Sequence, residues 1–156
     1  MLNEVREVLR SKDYFTRLVE YYAEEPNVDP TNLDTRDDCV RWIHRICEIY
    51  GSEFFDAICE AVEPLWKDES RFKQRACLEI FSGLIAGSKH WGPEATKALW
   101  KWIMDRWPTI YANIKPDTLF WETIISVSQI NCPSNCISDY EHSGVLLAEI
   151  LVAASR

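Results

Sequence analysis

Six basic residues near the middle of the chain are its most plausible binding feature. Lys89 and His90 directly precede a helix start at Pro93, where backbone N–H groups and the helix dipole favour an anion. Residues 71–106 carry seven Lys or Arg against three Asp or Glu, although the whole chain has a formal net charge of −8. A solvated basic face, or salt bridges between repeats, would give the same pattern. The candidate anion-binding residues are Arg71, Arg75, Lys89, His90, Lys97 and Lys101.

Two groups of cysteine and histidine residues have the chemistry of metal ligands or reactive thiols. His44 and Cys47 share a helix face, but Cys39 lies about 140° around that helix from His44, so the three do not converge on one ion. Cys132 and Cys136 lack the two-residue spacing of zinc knuckles and a second ligand pair nearby. We therefore expect structural thiols, no metal site and no catalytic residues, since strong catalytic signatures are also missing. A small thiol or metal enzyme is kept as an alternative.

The composition disfavours several classes of protein. A net charge of −8 argues against a nucleic-acid-binding domain, whose affinity depends on neutralising phosphates. No apolar run approaches the roughly 18 residues of a membrane span, and six cysteines without a secretory signal sequence indicate a reducing compartment. Hydrophobic residues make up 47% of the chain, including seven tryptophans, which we expect to pack in the core and between repeats rather than to form a ligand cage.

The spacing of the apolar residues predicts an all-α chain. They recur every three or four positions, glycine is scarce at five, and few β-branched residues alternate. We expect N-terminal helices within 3–25, followed by three antiparallel helical pairs at about 34–67, 70–112 and 117–155. Residues 1–156 would then form one segment of an α-solenoid of HEAT or armadillo type. A compact helical bundle is the alternative architecture.

The central helix, at about 71–86, is the element on which the others are expected to stack. Small residues such as Gly83 let a neighbouring backbone come close to it. We expect Gly87 to adopt a left-handed C-terminal cap, and Gly51 to end the first helix of the preceding pair. Pro108 is expected to bend or break the helix that follows.

The same stretch resembles a known protein family. The run QRACLEIFSGLIAGSKHW at 74–91, with the following KALWKWI, is similar to a segment of the proteasome activator complex subunit 4 family, giant HEAT-repeat proteins that cap the 20S proteasome. The letters GSKHW at 87–91 are specific, because a generic HEAT helix does not require them. Weaker similarity extends back to Phe54 and forward to about Cys132.

The resemblance implies a structural segment of an ATP-independent activator that caps the α ring of the 20S proteasome. Such an activator promotes degradation of peptides and unfolded proteins in the nucleus and cytoplasm. Neighbouring HEAT repeats are the other implied partners. No cofactor is required, and an inositol phosphate is an implied ligand of the full-length protein.

The end of the chain adds one expectation about activity. In the resembled family a C-terminal tail opens the proteasome gate, whereas this chain ends with VAASR at 152–156. We therefore expect the isolated chain not to activate the proteasome. The alternative function is an unrelated HEAT-like or helical-bundle adaptor that binds a peptide or protein partner.

Overall fold

The computed structural model describes residues 1–24 and 37–113, and this part of the chain is entirely helical apart from turns. No helix in these ranges is long and apolar enough to cross a membrane. The predicted helices within 117–155 lie outside the described residues, and the division into three pairs stays a prediction. The helices are α1 (Leu2–Leu9), α2 (Tyr14–Ala23), α3 (Asp37–Tyr50), α4 (Phe55–Val62), α5 (Arg71–Gly87) and α6 (Pro93–Asn113), with a 3-10 turn at Ser88–His90 before α6.

The central helix, α5, is covered on every side. Thirteen of its 17 residues are buried, including the unbroken run from Gln74 to Ile85. A run of that length passes every face of a helix several times. The core therefore surrounds α5, and most of the contact comes from α3 and α2.

The α3 and α5 helices lie side by side and run in the same direction. A Cβ placed on Gly83 would lie 2.7 Å from Ile43 Cβ, and one placed on Gly87 would lie 2.4 Å from Cys47 Cβ. Both pairs are 40 residues apart in sequence, from 43 to 83 and from 47 to 87. Because this register is constant along the interface, the two helices are parallel. Parallel helices that repeat after about 40 residues are typical of HEAT and armadillo arrays.

A second layer is formed by the even-numbered helices. The ring of Phe15 in α2 lies 5.7 Å from that of Phe54, which directly precedes α4. At the other end of α4, Arg106 of α6 donates to the carboxylate of Glu63 at 2.9 Å. Helices two apart along the chain thus contact each other in both layers, as in a stack of helical hairpins. This arrangement supports the predicted α-solenoid.

The expected helix ends agree with the structure only in part. Gly51 ends α3 with φ +62°, as expected of a left-handed cap. Gly87 instead has φ −74° and stays right-handed, so its predicted role is wrong; the residue is small because α3 lies against it. Pro108 does not break α6, which continues to Asn113, since a proline removes one backbone hydrogen bond without always ending a helix.

Replacing Gly87 by alanine tests the close approach of the two helices. The new methyl group would overlap Cys47 Cβ and lie 3.0 Å from the backbone oxygen of His44. We expect the free energy of unfolding to fall by about 3 kcal/mol, the upper end of the usual cost of overpacking, in urea denaturation followed by circular dichroism. Gly92→Ala is the control, because nothing lies within 4 Å of its added Cβ. Equal stability of both variants would contradict the packing described here.

Candidate functional site

The structure distributes the six predicted anion-binding residues over several environments. Lys89 and His90 are exposed in the 3-10 turn, and Lys97 is exposed on α6. Lys101 is exposed too, but its ammonium group lies 2.6 Å from the carboxylate of Asp105 one turn further on. Arg71, at the start of α5, is half-buried.

The remaining member of the predicted set, Arg75, does not reach solvent. Its side chain is only 1% exposed, as is that of Glu79, and the Arg75 Nε and Glu79 Oε1 atoms are 3.5 Å apart. Arg75 Nη2 also donates to the carbonyl oxygen of Tyr22 at 3.2 Å. Including Arg75 in a surface anion site is therefore wrong. Opposite charges four residues apart on a buried helix, such as Arg75 and Glu79, form an ion pair inside the protein.

The contact of Arg75 with Tyr22 satisfies a helix end. Tyr22 belongs to the last turn of α2, where carbonyl groups have no partner within the helix. A buried cation at this end also complements the helix dipole. Arg75 thus joins α5 to the C-terminus of α2, a role that the sequence did not reveal.

Trp91 makes a similar contact with the end of α3. Its indole Nε1 donates to the carbonyl oxygen of Cys47 at 3.2 Å, within the last turn of that helix. Just before it, the hydroxyl of Ser88 donates to the carbonyl oxygen of Ile85 at 2.9 Å. Together with the close approach of α3 at Gly87, these contacts show that Gly87, Ser88 and Trp91 of the GSKHW segment take part in packing. Lys89 and His90 are the letters that face solvent.

An aromatic cluster fills the space between α4, α5 and α6. Trp102 lies 5.3 Å from Trp66 and 5.2 Å from Phe81, measured between ring centroids. The guanidinium carbon of Arg106 sits 4.9 Å from the Trp66 ring centroid and 5.0 Å from that of Trp102. Contacts of this kind are cation–π interactions, and here Glu63 also fixes the guanidinium. These tryptophans pack between helices, as the sequence analysis expected.

The cysteines of the described residues are buried in the core. Cys39, Cys47, Cys59 and Cys77 form no disulfide with one another. Burial raises the pKa of Cys47 from its ordinary value of 9.0 to about 12, and it also raises the pKa of Cys59 and Cys77. Neutral thiols of this kind are poor nucleophiles and metal ligands.

A metal site would need several ligand side chains close together. Within residues 1–24 and 37–113, no three His, Cys, Asp or Glu side chains are grouped as metal ligands would be. His44 is half-buried, and its backbone oxygen faces the position of Gly87. The predicted pair Cys132 and Cys136 lies outside the described residues.

The geometry defines a class of protein. Parallel helices in a 40-residue register and a second layer of helices are the properties of an α-solenoid, and here the ends of α2 and α3 are capped by side chains from later in the chain. A family model described as "Proteasome activator complex subunit 4-like, HEAT repeat-like" matches residues 2–130. The chain therefore belongs to the HEAT-repeat family of proteasome activator complex subunit 4.

Individual relatives agree with this family. Proteasome activator complex subunit 4 of Xenopus laevis is 29% identical over 123 residues, which cover 74% of this chain and 7% of the relative. Subunit 4B of Danio rerio is 26% identical over 116 residues, with coverages of 74% and 6%. The Bos taurus protein is 35% identical over 91 residues, with coverages of 54% and 5%. The chain thus spans a small part of the length of these curated relatives. No solved structure matches it significantly.

Removing one partner of the buried ion pair should lower the free energy of unfolding more than removing both partners. Arg75→Met leaves the carboxylate of Glu79 in the core without the guanidinium, so we expect a loss of about 3–5 kcal/mol in the free energy of unfolding. The double variant Arg75→Met/Glu79→Met removes both charges and should recover part of that loss. Urea denaturation of the two variants and the parent measures the difference. With Glu79→Met as the second single variant, a double variant whose loss equals the sum of the two single losses would show that the charges are not coupled.

Alkaline pH should destabilise the fold through its buried thiols. Because the pKa values of Cys47, Cys59 and Cys77 are higher in the folded chain than in the unfolded chain, the free energy of unfolding is unaffected well below pH 9 and falls as pH rises from about 9 towards 12. The expected loss at pH 10 is about 1.4 kcal/mol for Cys47 alone, with further losses from Cys59 and Cys77.

Urea denaturation at pH 7.5 and at pH 10, below and above the ordinary thiol pKa of 9.0, measures this effect. The matched control is Cys47→Ala, which keeps the Cβ that faces Gly87 and should reduce the pH dependence by the share of one thiol. Thiol labelling of the folded chain should also be slow at Cys39, Cys47, Cys59 and Cys77. Rapid labelling of these four residues, or stability independent of pH, would refute the burial of the thiols.

Proposed function

We propose that this chain is a structural segment of an ATP-independent activator of the 20S proteasome. The match of the family model over residues 2–130 is the observation that carries the proposal. The parallel stacking of α3 on α5 supports it, because this is how successive HEAT-like repeats extend a scaffold. The segment would contribute shape and rigidity to the activator, and the chemistry of peptide cleavage would stay in the proteasome.

The proposal includes partners and location for the polypeptide that contains this chain. The polypeptide binds the α ring of the 20S proteasome, promotes degradation of peptides and unfolded proteins, and works in the nucleus and cytoplasm. No cofactor is required for this. The exposed residues Lys89, His90 and Lys97 are the part of the predicted basic set that remains suited to a phosphate group, such as that of an inositol phosphate bound to the full-length protein.

Affinity purification from the source organism tests the function. The gene that encodes this chain is tagged at its own locus, and its product is purified under native conditions and run on a native gel. We expect it to migrate with 20S subunits and to raise the hydrolysis of a fluorogenic peptide several-fold in the absence of ATP. The isolated 156-residue chain is the comparison, and we expect it to give no stimulation.

The outcomes separate the proposal from its alternative. A tagged product that migrates apart from the proteasome and leaves peptide hydrolysis unchanged would refute the proposal and favour an adaptor of another kind. Stimulation by the isolated chain would show that these residues do more than extend the scaffold. A requirement for ATP would remove the ATP-independent mechanism.

A further inference from the structure

A cavity of about 460 Å³ lies where α1 meets α2, apart from the basic set, the aromatic cluster and the α3–α5 interface. Its volume falls within the range of ligand pockets, about 300–1,000 Å³. The wall combines two cations, one carboxylate, two hydroxyl groups and two aliphatic side chains. It consists of residues 11–14 together with Val8, Arg17 and Leu18, and we call it the α1–α2 cavity.

The two cations of the α1–α2 cavity are exposed and have no anionic partner among the described residues. Lys12 and Arg17 both line the cavity, and Asp13, one turn before Arg17, forms no ion pair with it. Arg45 and Lys101, by contrast, each lie within 2.7 Å of a carboxylate. Two positive charges less one negative charge give the wall a net charge of +1, although the whole chain carries −8. The cavity therefore attracts an anion.

The hydroxyl group of Tyr14 adds a hydrogen-bond donor to this wall. The Tyr14 oxygen accepts a hydrogen bond from Trp42 Nε1 at 3.0 Å, which leaves its own proton for another acceptor. Burial raises the pKa of Tyr14 above its ordinary value of 10.0, so the oxygen keeps that proton at neutral pH. Trp42 thus orients a neutral donor beside the two cations.

The aliphatic side chains of the wall restrict the kind of anion. Val8 is 57% exposed, and Leu18 is half-buried one turn after Tyr14. A free inorganic anion would leave both side chains in contact with water, whereas an anion attached to apolar groups would cover them. A net charge of +1 also suits a carboxylate better than a phosphate group, which carries a charge of about −1.5 to −2 at pH 7.

We propose that the α1–α2 cavity binds an acidic peptide segment of a partner, in which an aspartate or glutamate is flanked by apolar side chains. The carboxylate pairs with Lys12 and Arg17 and accepts the proton of Tyr14, and the flanking side chains cover Val8 and Leu18. Charge complementarity selects this occupant, because hydrogen bonds to an ionised group are stronger than neutral ones. The inference does not depend on binding to the proteasome.

NMR titration of the isotopically labelled 156-residue chain tests the inference. The probe is the pentapeptide ALELA, blocked at both ends so that the glutamate is its one charge. We expect ALELA to shift the amide signals of residues 8–18 until the site is saturated. The control peptide ALQLA replaces the carboxylate by an amide and should bind at least about tenfold more weakly. Inorganic phosphate should also bind more weakly than ALELA.

Three variants assign the binding to the α1–α2 cavity. Lys12→Ala removes one cation and should weaken the binding of ALELA at least about threefold. Tyr14→Phe keeps the ring but removes the donor, and it should weaken binding by a similar factor. Lys67→Ala is the matched control, because it removes an exposed lysine between α4 and α5 and should leave the affinity unchanged. Unchanged signals outside residues 8–18 and the substituted position show that each variant is folded.

Four outcomes would overturn the inference. The first is the lack of a saturable shift in residues 8–18, and the second is equal affinity for ALELA and ALQLA. The third is equal weakening by Lys12→Ala and Lys67→Ala, which would indicate general charge attraction rather than a site. The fourth is tighter binding of inorganic phosphate than of ALELA. Because no readout involves proteasome activation, the inference and the proposed function fail separately.

Discussion

The distance between α3 and α5 is the constraint on which the rest of the described structure depends. Only a hydrogen atom fits at Gly83 and Gly87, where Ile43 and Cys47 of α3 lie against the backbone of α5. The two glycines are four residues apart and therefore lie on one face of the helix. With two contacts in the same 40-residue register, the helices cannot slide relative to each other by a turn without a clash or a void.

This fixed register explains why the ends of two helices are capped by side chains from later in the chain. Once α5 lies along α3, Trp91 reaches the carbonyl group of Cys47, and Arg75 reaches that of Tyr22. Buried carbonyl groups at a helix end need such partners. Burying Arg75 in turn requires a nearby negative charge, which Glu79 supplies one turn along α5. Packing, capping and charge are thus consequences of one close contact.

The sequence was sufficient to predict the class of fold and much of the element order. The spacing of the apolar residues predicted the central helix. The ability of glycine to adopt a positive φ predicted the end of α3 at Gly51. The prediction of a left-handed cap at Gly87 was wrong. Glycine occurs both at helix caps and where two helices come close, and the sequence alone does not distinguish the two uses. Of the bend or break expected at Pro108, the break does not occur, because the backbone there stays helical.

The candidate site was less predictable for a physical reason. Charge counting treats every basic residue as solvated, but Arg75 lies in the core and Arg106 lies against two tryptophan rings. The i, i+4 spacing of Arg75 and Glu79 was visible in the sequence, and it was the available signal of an internal pair. Which face of α5 is buried depends on its neighbours, and no local pattern specifies that.

The most direct measurement of the central claim is an NMR experiment on the isotopically labelled chain. Nuclear Overhauser effects between the Ile43 γ2 methyl group and the Gly83 α protons, and between the Cys47 β protons and the Gly87 α protons, report the two contacts that set the register. This account predicts that both effects are strong. If both were missing while α3 and α5 remained helical, the two helices would not be in contact in this register, and the account of the fold would be wrong.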